Sequence, residues 1–231
     1  MKIVFFSGAG VSQESGIPTY RDGDNALWKK YNPDVVASVE GWNNDTQKCL
    51  DFYNYINKHI SDFEPNAAHK AIADLEKYHE VIVITQNVDD LHERGGSSTV
   101  VHLHGEIRKM RSSIDSENIM PYINPIKIGQ LCSKGSQIRP HVVMFGEMPF
   151  NLHTAANYIS EADILIVIGT SLQVEPAASL ISYVPRTSKV FVIDKDNLCD
   201  RIPNIENHII FYEGSAINKV PELVNNLIEM S

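Results

Sequence analysis

Lys2-Ile3-Val4-Phe5-Phe6-Ser7-Gly8-Ala9-Gly10-Val11-Ser12 is the stretch whose reading decides the fold. Ile3 to Phe6 is a continuous apolar run, not an alternating one, which is the pattern of a strand covered on both faces. It runs into two glycines one residue apart. Glycine at 8 and 10 permits a tight turn and lets a pyrophosphate approach backbone N–H groups where a helix begins. The third glycine of a G-x-G-x-x-G pattern would fall at 13, and that residue is Gln13. The loop therefore reads either as a phosphate cradle or as a merely tight strand-to-helix turn. A phosphate loop of the type that ends in Gly-Lys-Ser/Thr is excluded, since no such triplet follows.

Working outward, five more runs of the same character occur: Val81 to Ile84, Val100 to Leu103, Ile164 to Ile168, Val190 to Ile193 and Ile209 to Phe211. Helical spacing lies between several of them. Ala67, Ala71, Ile72 and Leu75 recur within 66–78 after Pro65, 151–161 reads likewise, and Leu223, Val224, Leu227 and Ile228 form one stripe in 221–230. The alternation predicts an α/β fold, a Rossmann-like doubly wound parallel sheet of about six strands. Two segments break it. Residues 23–63 look helical and aromatic, with Trp28, Tyr31, Trp42, Phe52, Tyr53 and Tyr55, and 108–138 is rich in Ser, Pro and Ile without a period. Both read as insertions that meet in one small module, leaving 1–22, 64–107 and 139–231 as the sheet domain.

Composition narrows the function classes. Among 231 residues, 20 Lys and Arg stand against 29 Asp and Glu, a net charge of −9, which argues against nucleic-acid and anionic-membrane partners and for a soluble cytoplasmic protein. No apolar run approaches the roughly 20 residues of a membrane span, and the first run is too short for a secretory signal. The three cysteines, Cys49, Cys132 and Cys199, are unpaired in spacing and cannot form a disulfide framework or a four-cysteine zinc ribbon.

Chemistry-bearing residues cluster where the strands end. After Val81 to Ile84 come Thr85-Gln86-Asn87-Val88-Asp89-Asp90-Leu91-His92. The amides Gln86 and Asn87 both donate and accept, which suits a carboxamide or a ribose; a helix N-cap explains Asp89 or Asp90 equally well but not the two amides. His102 and His104 sit at i and i+2 on the next strand, so a metal must be considered, but no cysteine stands nearby and the other histidines are scattered. His104, followed by Gly105, is better placed as a general base; His102 reads as structural and His92 as a helix residue. Gly169-Thr170-Ser171 ends the fourth run and Asp194 the fifth. An acid there accepts ribose hydroxyls and repels a 2′-phosphate, favouring NAD over NADP. Gly214-Ser215-Ala216 could pass backbone groups along an adenine. Tyr20-Arg21-Asp22 places an arginine fork at the far end of the first loop.

These residues together resemble a known family. Gly8 to Ser12, Ser15-Gly16-Ile17-Pro18, Tyr20-Arg21, Thr85-Gln86-Asn87-Val88-Asp89, His104-Gly105, Arg139-Pro140-His141-Val142-Val143-Met144-Phe145-Gly146-Glu147 and Gly169-Thr170-Ser171-Leu172-Gln173-Val174-Glu175-Pro176 are similar, in order and spacing, to the blocks of the sirtuins, most of all their bacterial branch. The resemblance spans almost the whole chain. It implies an NAD-dependent protein lysine deacylase: the acyl-lysine amide oxygen attacks the nicotinamide ribose, nicotinamide leaves, and an alkylimidate collapses to free lysine and O-acyl-ADP-ribose. Carried over residue by residue, His104 is the general base, Asn87 and Asp89 line the nicotinamide pocket, and Gln86 holds the ribose. Gly8, Ala9, Gly10, Ser12, Tyr20, Arg21, Val88, Gly169, Thr170, Ser171, Asp194 and Ala216 contact the cofactor. Tyr53, Val143, Phe145, Gly146, Glu147 and Val174 hold an acyl-lysine peptide as an added strand.

Three departures qualify the resemblance. Between the His-Gly and Arg-Pro blocks the family carries four zinc cysteines; this chain has only Cys132 there, with Ser112 where the first would stand. One thiol cannot hold tetrahedral zinc, so the expectation is a zinc-free module packed through Ile119, Met120, Tyr122, Ile123, Ile126, Ile128 and Leu131. In the succinyl-preferring branch a Tyr is followed three residues later by an Arg. Tyr53 fits, but Ile56 takes the second position, which favours acetyl or longer neutral acyl groups unless Lys58 or His59 supplies the charge. Asp194 stands where the family usually has Asn. The alternatives are an NAD glycohydrolase or ADP-ribosyltransferase on the same fold, and a non-catalytic NAD or ADP-ribose binding module.

Overall fold

The protein is described by a computed structural model over residues 1–18, 27–196, 198, 201–202 and 205–229. Tyr20, Arg21 and Asp22 lie outside these residues, as does Cys199. β1 (Lys2–Ser7) is followed by two 3-10 turns, Ala9–Val11 and Gln13–Ser15, and then by α1 (Leu27–Lys30), α2 (Pro33–Val36), α3 (Val39–Asn44) and α4 (Thr46–His59). Next come α5 (Ala67–Leu75), β2 (Glu80–Thr85), α6 (Leu91–Gly95), β3 (Val100–His102), β4 (Gly105–Ser112), β5 (Ile119–Pro121) and β6 (Ile138–Val142). α7 (Leu152–Ser160), β7 (Ile164–Ile168), β8 (Lys189–Asp194), β9 (Ile209–Glu213) and α8 (Ala216–Glu229) follow.

The six apolar runs of the sequence form one parallel six-stranded sheet, ordered β3-β2-β1-β7-β8-β9. Each strand is covered on both faces. Val4, Phe6, Ile82, Ile84, Leu165 and Val167 pack on α7 and a 3-10 segment at 178–183, while Ile3, Phe5, Val81, Val83, Ile164 and Ile166 pack on α5 and α8. This two-sided burial is why the runs are continuous. The strand order reverses between β1 and β7, and in such a sheet the crevice opens there, beyond the carboxyl ends of the strands. The register places Ser7 beside both Thr85 and Ile168, and Thr85 beside His102, so the candidate loops emerge on one edge.

Helix ends follow local chemistry. Asn66 caps α5 through its side chain while the His69 ring accepts the Asn66 N–H, a reciprocal box. α8 starts at Ala216, ahead of the expected Pro221, because the Ser215 carbonyl accepts the N–H groups of Asn218 and Lys219 (3.2 and 2.9 Å). Pro221 then sits in the second turn, where it removes one ladder donor. Among the described residues no helix is long and apolar enough to cross a membrane.

The second expected segment forms an antiparallel sheet, β5-β4-β6, packed on α4. Its legs β4 and β6 cross the boundaries read at 107/108 and 138/139, so those boundaries fall within strands. Its core is Leu50, Tyr122, Ile126, Cys132 and Ile138, flanked by Trp42, Met110 and Met120. Ile119, Ile123, Ile128 and Leu131, expected inside, are exposed. The segment packs chiefly against α4, with Trp42 of α3 at its edge, and the side chains turned toward these helices are the ones covered. Amides on α4 complete the contact: Asn54 Nδ2 donates to the Ile126 carbonyl (2.9 Å) and Asn57 Nδ2 to the Tyr122 carbonyl (3.0 Å). The Cys132 sulfur lies 3.4 Å from Ser112 Oγ and 3.2 Å from Ser136 Oγ, and those hydroxyls are 2.8 Å apart. Lys134 pairs with Asp115 alongside, at 2.6 Å.

At the crevice the β1 and β7 loops touch backbone to backbone. Gly8 N–H donates to Ile168 O (3.0 Å) and Gly10 N–H to Gly169 O (2.8 Å). A Cβ on Gly10 would lie 2.6 Å from Gly169 Cα, and one on Gly169, whose φ is +55°, would lie 2.6 Å from Val11 N. Gly169→Ala should therefore lower stability by roughly 2–4 kcal/mol. Gly129→Ala, at φ +80° but with nothing within 4 Å, should cost only about 1–2 kcal/mol. Urea midpoints of the two variants check the difference.

Candidate active site

Two cavities open at the carboxyl edge of the sheet and share a wall. The larger, about 430 Å³, is polar and is lined by Gly8, Ala9 and Gly10, by Gly169, Thr170 and Ser171, and by Gln86, Asn87, His104 and Asp194. The smaller, about 200 Å³, is more apolar and is lined by Tyr53, Val143, Phe145, Gly146, Glu147 and Val174. Gln86, His104 and Val174 line both. A ligand in each cavity would meet at His104.

The expected residues do not all stand where the sequence suggested. Val88 lines the apolar cavity, not the polar crevice. Ser12 and Asp89 are buried and line neither cavity; they support Asn87 from beneath. Ala216 also lines neither. It opens α8 and packs into the sheet face under that helix, because a short apolar side chain at a helix start is drawn into the core. The amides of Gly8 and Gly10 are committed to the β7 loop, so these glycines serve loop-to-loop contact, beyond the phosphate approach read from the sequence.

The amide pair is held by its neighbours. Gln86 Nε2 donates to Thr170 Oγ1 (2.9 Å), bridging the β2 and β7 loops. Asn87 Nδ2 donates to Gly8 O (3.1 Å) and Ser12 Oγ (3.2 Å), so its amide oxygen is the group this side chain offers to a ligand. Asp89 accepts the Leu91 N–H at 3.1 Å. Burial pushes its carboxyl up to about 6, against the Leu91 and Ser12 hydrogen bonds that favour the charged form.

His104 donates Nδ1–H to the Gln86 carbonyl at 2.9 Å. A carbonyl can only accept, so Nδ1 carries the proton and Nε2 keeps its lone pair. Burial holds the ring below its ordinary value of 6.5, although the Gln86 bond opposes this. A neutral imidazole with a fixed tautomer at a cavity junction can take a proton. His102 instead reaches Glu93 (2.7 Å), so the two histidines do not converge on one ion. His92 is a helix residue within α6, its Nε2 3.0 Å from Ser7 Oγ.

The segment at 143–147 is anchored twice. The Phe145 backbone pairs with residues 37–39, donating to Ala37 O (2.8 Å) and accepting from Val39 N–H (3.0 Å). The Glu147 carboxylate accepts both Arg139 Nη1 (2.6 Å) and Nη2 (3.0 Å) and the Met144 N–H (2.8 Å), with Arg111 Nη2 at 3.4 Å. Glu147 thus touches the cavity but spends its charge on the two arginines, which keep it ionised against its burial. It braces the segment.

Several lining residues escaped the sequence reading. Ala37, Phe52 and Met144 join Ile56 in shaping the apolar cavity, yet on sequence these three look like ordinary core. Lys195 and Arg201 bring positive charge to the polar crevice. Only the position of Lys195 beside Asp194 could have drawn attention to it. Lys58 and His59 line neither cavity, and His59 pairs with Asp62 at 3.1 Å.

Comparison with known proteins places this geometry. The model of the Sir2 family matches residues 8–176. An "NAD-dependent protein deacylase" of Helicobacter pylori (strain ATCC 700392 / 26695) is 43% identical over 229 residues, covering 99% of this chain and 98% of the relative. Among solved structures, a Sir2 homologue in complex with NAD superposes with a TM-score of 0.85 at 38% identity, covering 99% of this chain and 90% of that one. A Sir2 protein with a p53 peptide and NAD+ gives 0.76 at 27% identity, covering 99% and 94%.

The buried Asp89 carboxylate has a stability consequence. Its folded value, raised from 3.8 to about 6, stabilises the protein below 3.8 and is lost as pH rises through 6. Asp89→Asn should be more stable than the parent at pH 7.5 by about 2–3 kcal/mol. The gain should shrink toward nothing as the pH is lowered, as read by urea denaturation at both ends.

Proposed function

The chain belongs to the Sir2 family, and from that premise and the shared cavity wall we infer that it is an NAD-dependent protein lysine deacylase. The observation that carries the reading is His104, its Nε2 left with a lone pair, in the wall that the polar crevice shares with the apolar cavity. NAD supplies an electrophilic ribose carbon to which the acyl oxygen of a modified lysine can add as nicotinamide departs.

The chain's own groups divide the work. Gly8 to Gly10 and Gly169 to Ser171 receive the phosphates and adjoining ribose, with Lys195 and Arg201 adding positive charge. Asp194 accepts hydroxyls of the adenosine ribose. Asn87, braced by Gly8 and Ser12, presents its amide oxygen to the nicotinamide carboxamide, with Asp89 behind it. Gln86 holds the nicotinamide ribose beside His104, whose Nε2 removes a ribose hydroxyl proton. The edge of the segment at Gly146, opposite residue 174, takes the substrate peptide by main-chain bonding. The acyl chain enters the cavity walled by Ala37, Phe52, Tyr53, Ile56 and Met144.

That wall favours neutral acyl groups. Ile56 offers no partner to a carboxylate, and burying an unpaired charge there is costly. The small sheet, in this reading, holds no zinc. Its one thiol and two hydroxyls already satisfy one another, Asp115 is taken by Lys134, and a structural zinc site needs four nitrogen or sulfur donors. Leu50, Tyr122, Ile126 and the Asn54 and Asn57 amides supply the cohesion instead.

Incubated with NAD and an acetyl-lysine peptide, the protein should yield O-acetyl-ADP-ribose by mass spectrometry while carrying far less than one zinc per chain by elemental analysis. Free ADP-ribose formed without peptide would instead indicate a glycohydrolase. His104→Ala should lower kcat/KM at least ~100-fold. Ile56→Arg should shift the succinyl-to-acetyl rate ratio upward by roughly 10–100-fold, as competition between the two peptides measures.

A further inference from the structure

β3 and the turn after it present two histidines that make the same first bond and different second ones. His104 Nδ1 and His102 Nδ1 each lie 2.9 Å from one of two consecutive carbonyls, those of Gln86 and Asn87. The Nε2 of His104 serves the cavity junction. The Nε2 of His102 lies 2.7 Å from Glu93 Oε1 on α6, and the ring is only 6% exposed. The Asn87 carbonyl can only accept, so Nδ1 carries a proton, and Nε2 needs another to bond an ionised carboxylate. His102 is therefore an imidazolium locked between a loop peptide and an acid.

We propose that the His102–Glu93 ion pair is a positioning device for nicotinamide recognition, clasping the Asn87 peptide so that the Asn87 side chain stays seated on Gly8 and Ser12. The proposal rests on the deacylase reading for the identity of the ligand, but the clasp itself does not. Together the two histidines fix both peptides that carry the amide pair, one from each ring. His102 also places a positive charge near Asp89, favouring the ionised form of a carboxylate that burial disfavours.

The surroundings agree with a charged ring. Burial works against the charge, yet the Glu93 contact and the Asn87 carbonyl carry His102 above its ordinary value of 6.5. The other groups facing it are His92 on α6, Glu106 and Lys109 on β4, and Asp89. His92 is held neutral by burial. Lys109 pairs with Glu106 at 2.7 Å, leaving Glu93 as the counter-ion. Glu93, His102 and Glu106 offer ligand atoms within 4.8 Å of one another, so a divalent cation is the rival occupant. The 2.7 Å contact favours the hydrogen bond, since two ligands of a tetrahedral ion at about 2.1 Å would stand about 3.4 Å apart.

Nitrogen NMR of ring-labelled wild-type protein tests the clasp without any assay. His102 should titrate above 6.5, with both nitrogens protonated below its midpoint, and a midpoint at or below 6.5 would overturn the proposal. Nicotinamide inhibition of the deacylase tests its purpose. The inhibition constant should rise as pH climbs through the His102 titration, and Glu93→Gln, whose amide can donate to a neutral Nε2, should flatten that rise. His102→Leu should weaken nicotinamide binding about tenfold, with His102→Gln restoring part of it through a donor amide. A folded His102→Leu variant with wild-type inhibition and pH profile sinks the proposal. So does an inhibition constant that moves on adding Mn²⁺ or Zn²⁺ and returns with chelator, which assigns the cluster to a metal. A wild type without deacylase activity would sink the functional reading and leave the NMR result to decide the clasp.

Discussion

The site depends on the contact of two strand-end loops across the point where the sheet reverses. Gly8, Gly10 and Gly169 let the β1 and β7 loops meet at backbone distance, with bonds of 3.0 and 2.8 Å between them. Any side chain at Gly10 or Gly169 would wedge the loops apart, and neither loop could keep its path. Asn87 and Gln86 are then fixed against this joint, one bonding Gly8 O and the other Thr170 Oγ1. The crevice walls are thus tied to one another by hydrogen bonds within the chain itself.

A second constraint links the small sheet to the segment at 143–147 that walls the apolar cavity. Arg111 on β4 and Arg139 on β6 are both buried and both bond Glu147, whose carboxylate also holds the Met144 N–H. A buried ion cluster of this kind is worth more as geometry than as net stability, because desolvating the charges offsets most of their attraction. Removing one partner would leave the others unpaired beside the apolar cavity. The fold of a surface module and the shape of that cavity are mechanically one problem, even though the module has a core of its own around Leu50 and Tyr122.

Electrostatics then separate residues that look alike on paper. His102 and His104 are two positions apart and bond adjacent carbonyls, but one Nε2 meets a carboxylate and the other a cavity. The first is carried above the ordinary imidazole value by its carboxylate, and the second is held below it by burial. Asp89 and Glu147 diverge in the same way. Glu147 is ionised by two arginines, whereas Asp89, buried with hydrogen bonds and a more distant cation, is pushed toward neutrality.

The amino-acid sequence by itself determined the six strands, their two-sided burial and the loops that carry Gly8, Gln86, Asn87, His104 and Gly169, because continuous β-branched runs and glycine spacing are local properties of the chain. It determined the family as well, through ordered blocks no local pattern could imitate. Only the tertiary structure decided which residues share a cavity. Ala37 and Phe52 lie far from His104 in sequence and carry no polar signature, while Ala216 and Ile123 look suited to places they do not occupy. Whether an apolar side chain faces a core, a cavity or solvent depends on what packs opposite it, and that is settled by how α4 meets β4 and β6 and how α8 meets the sheet.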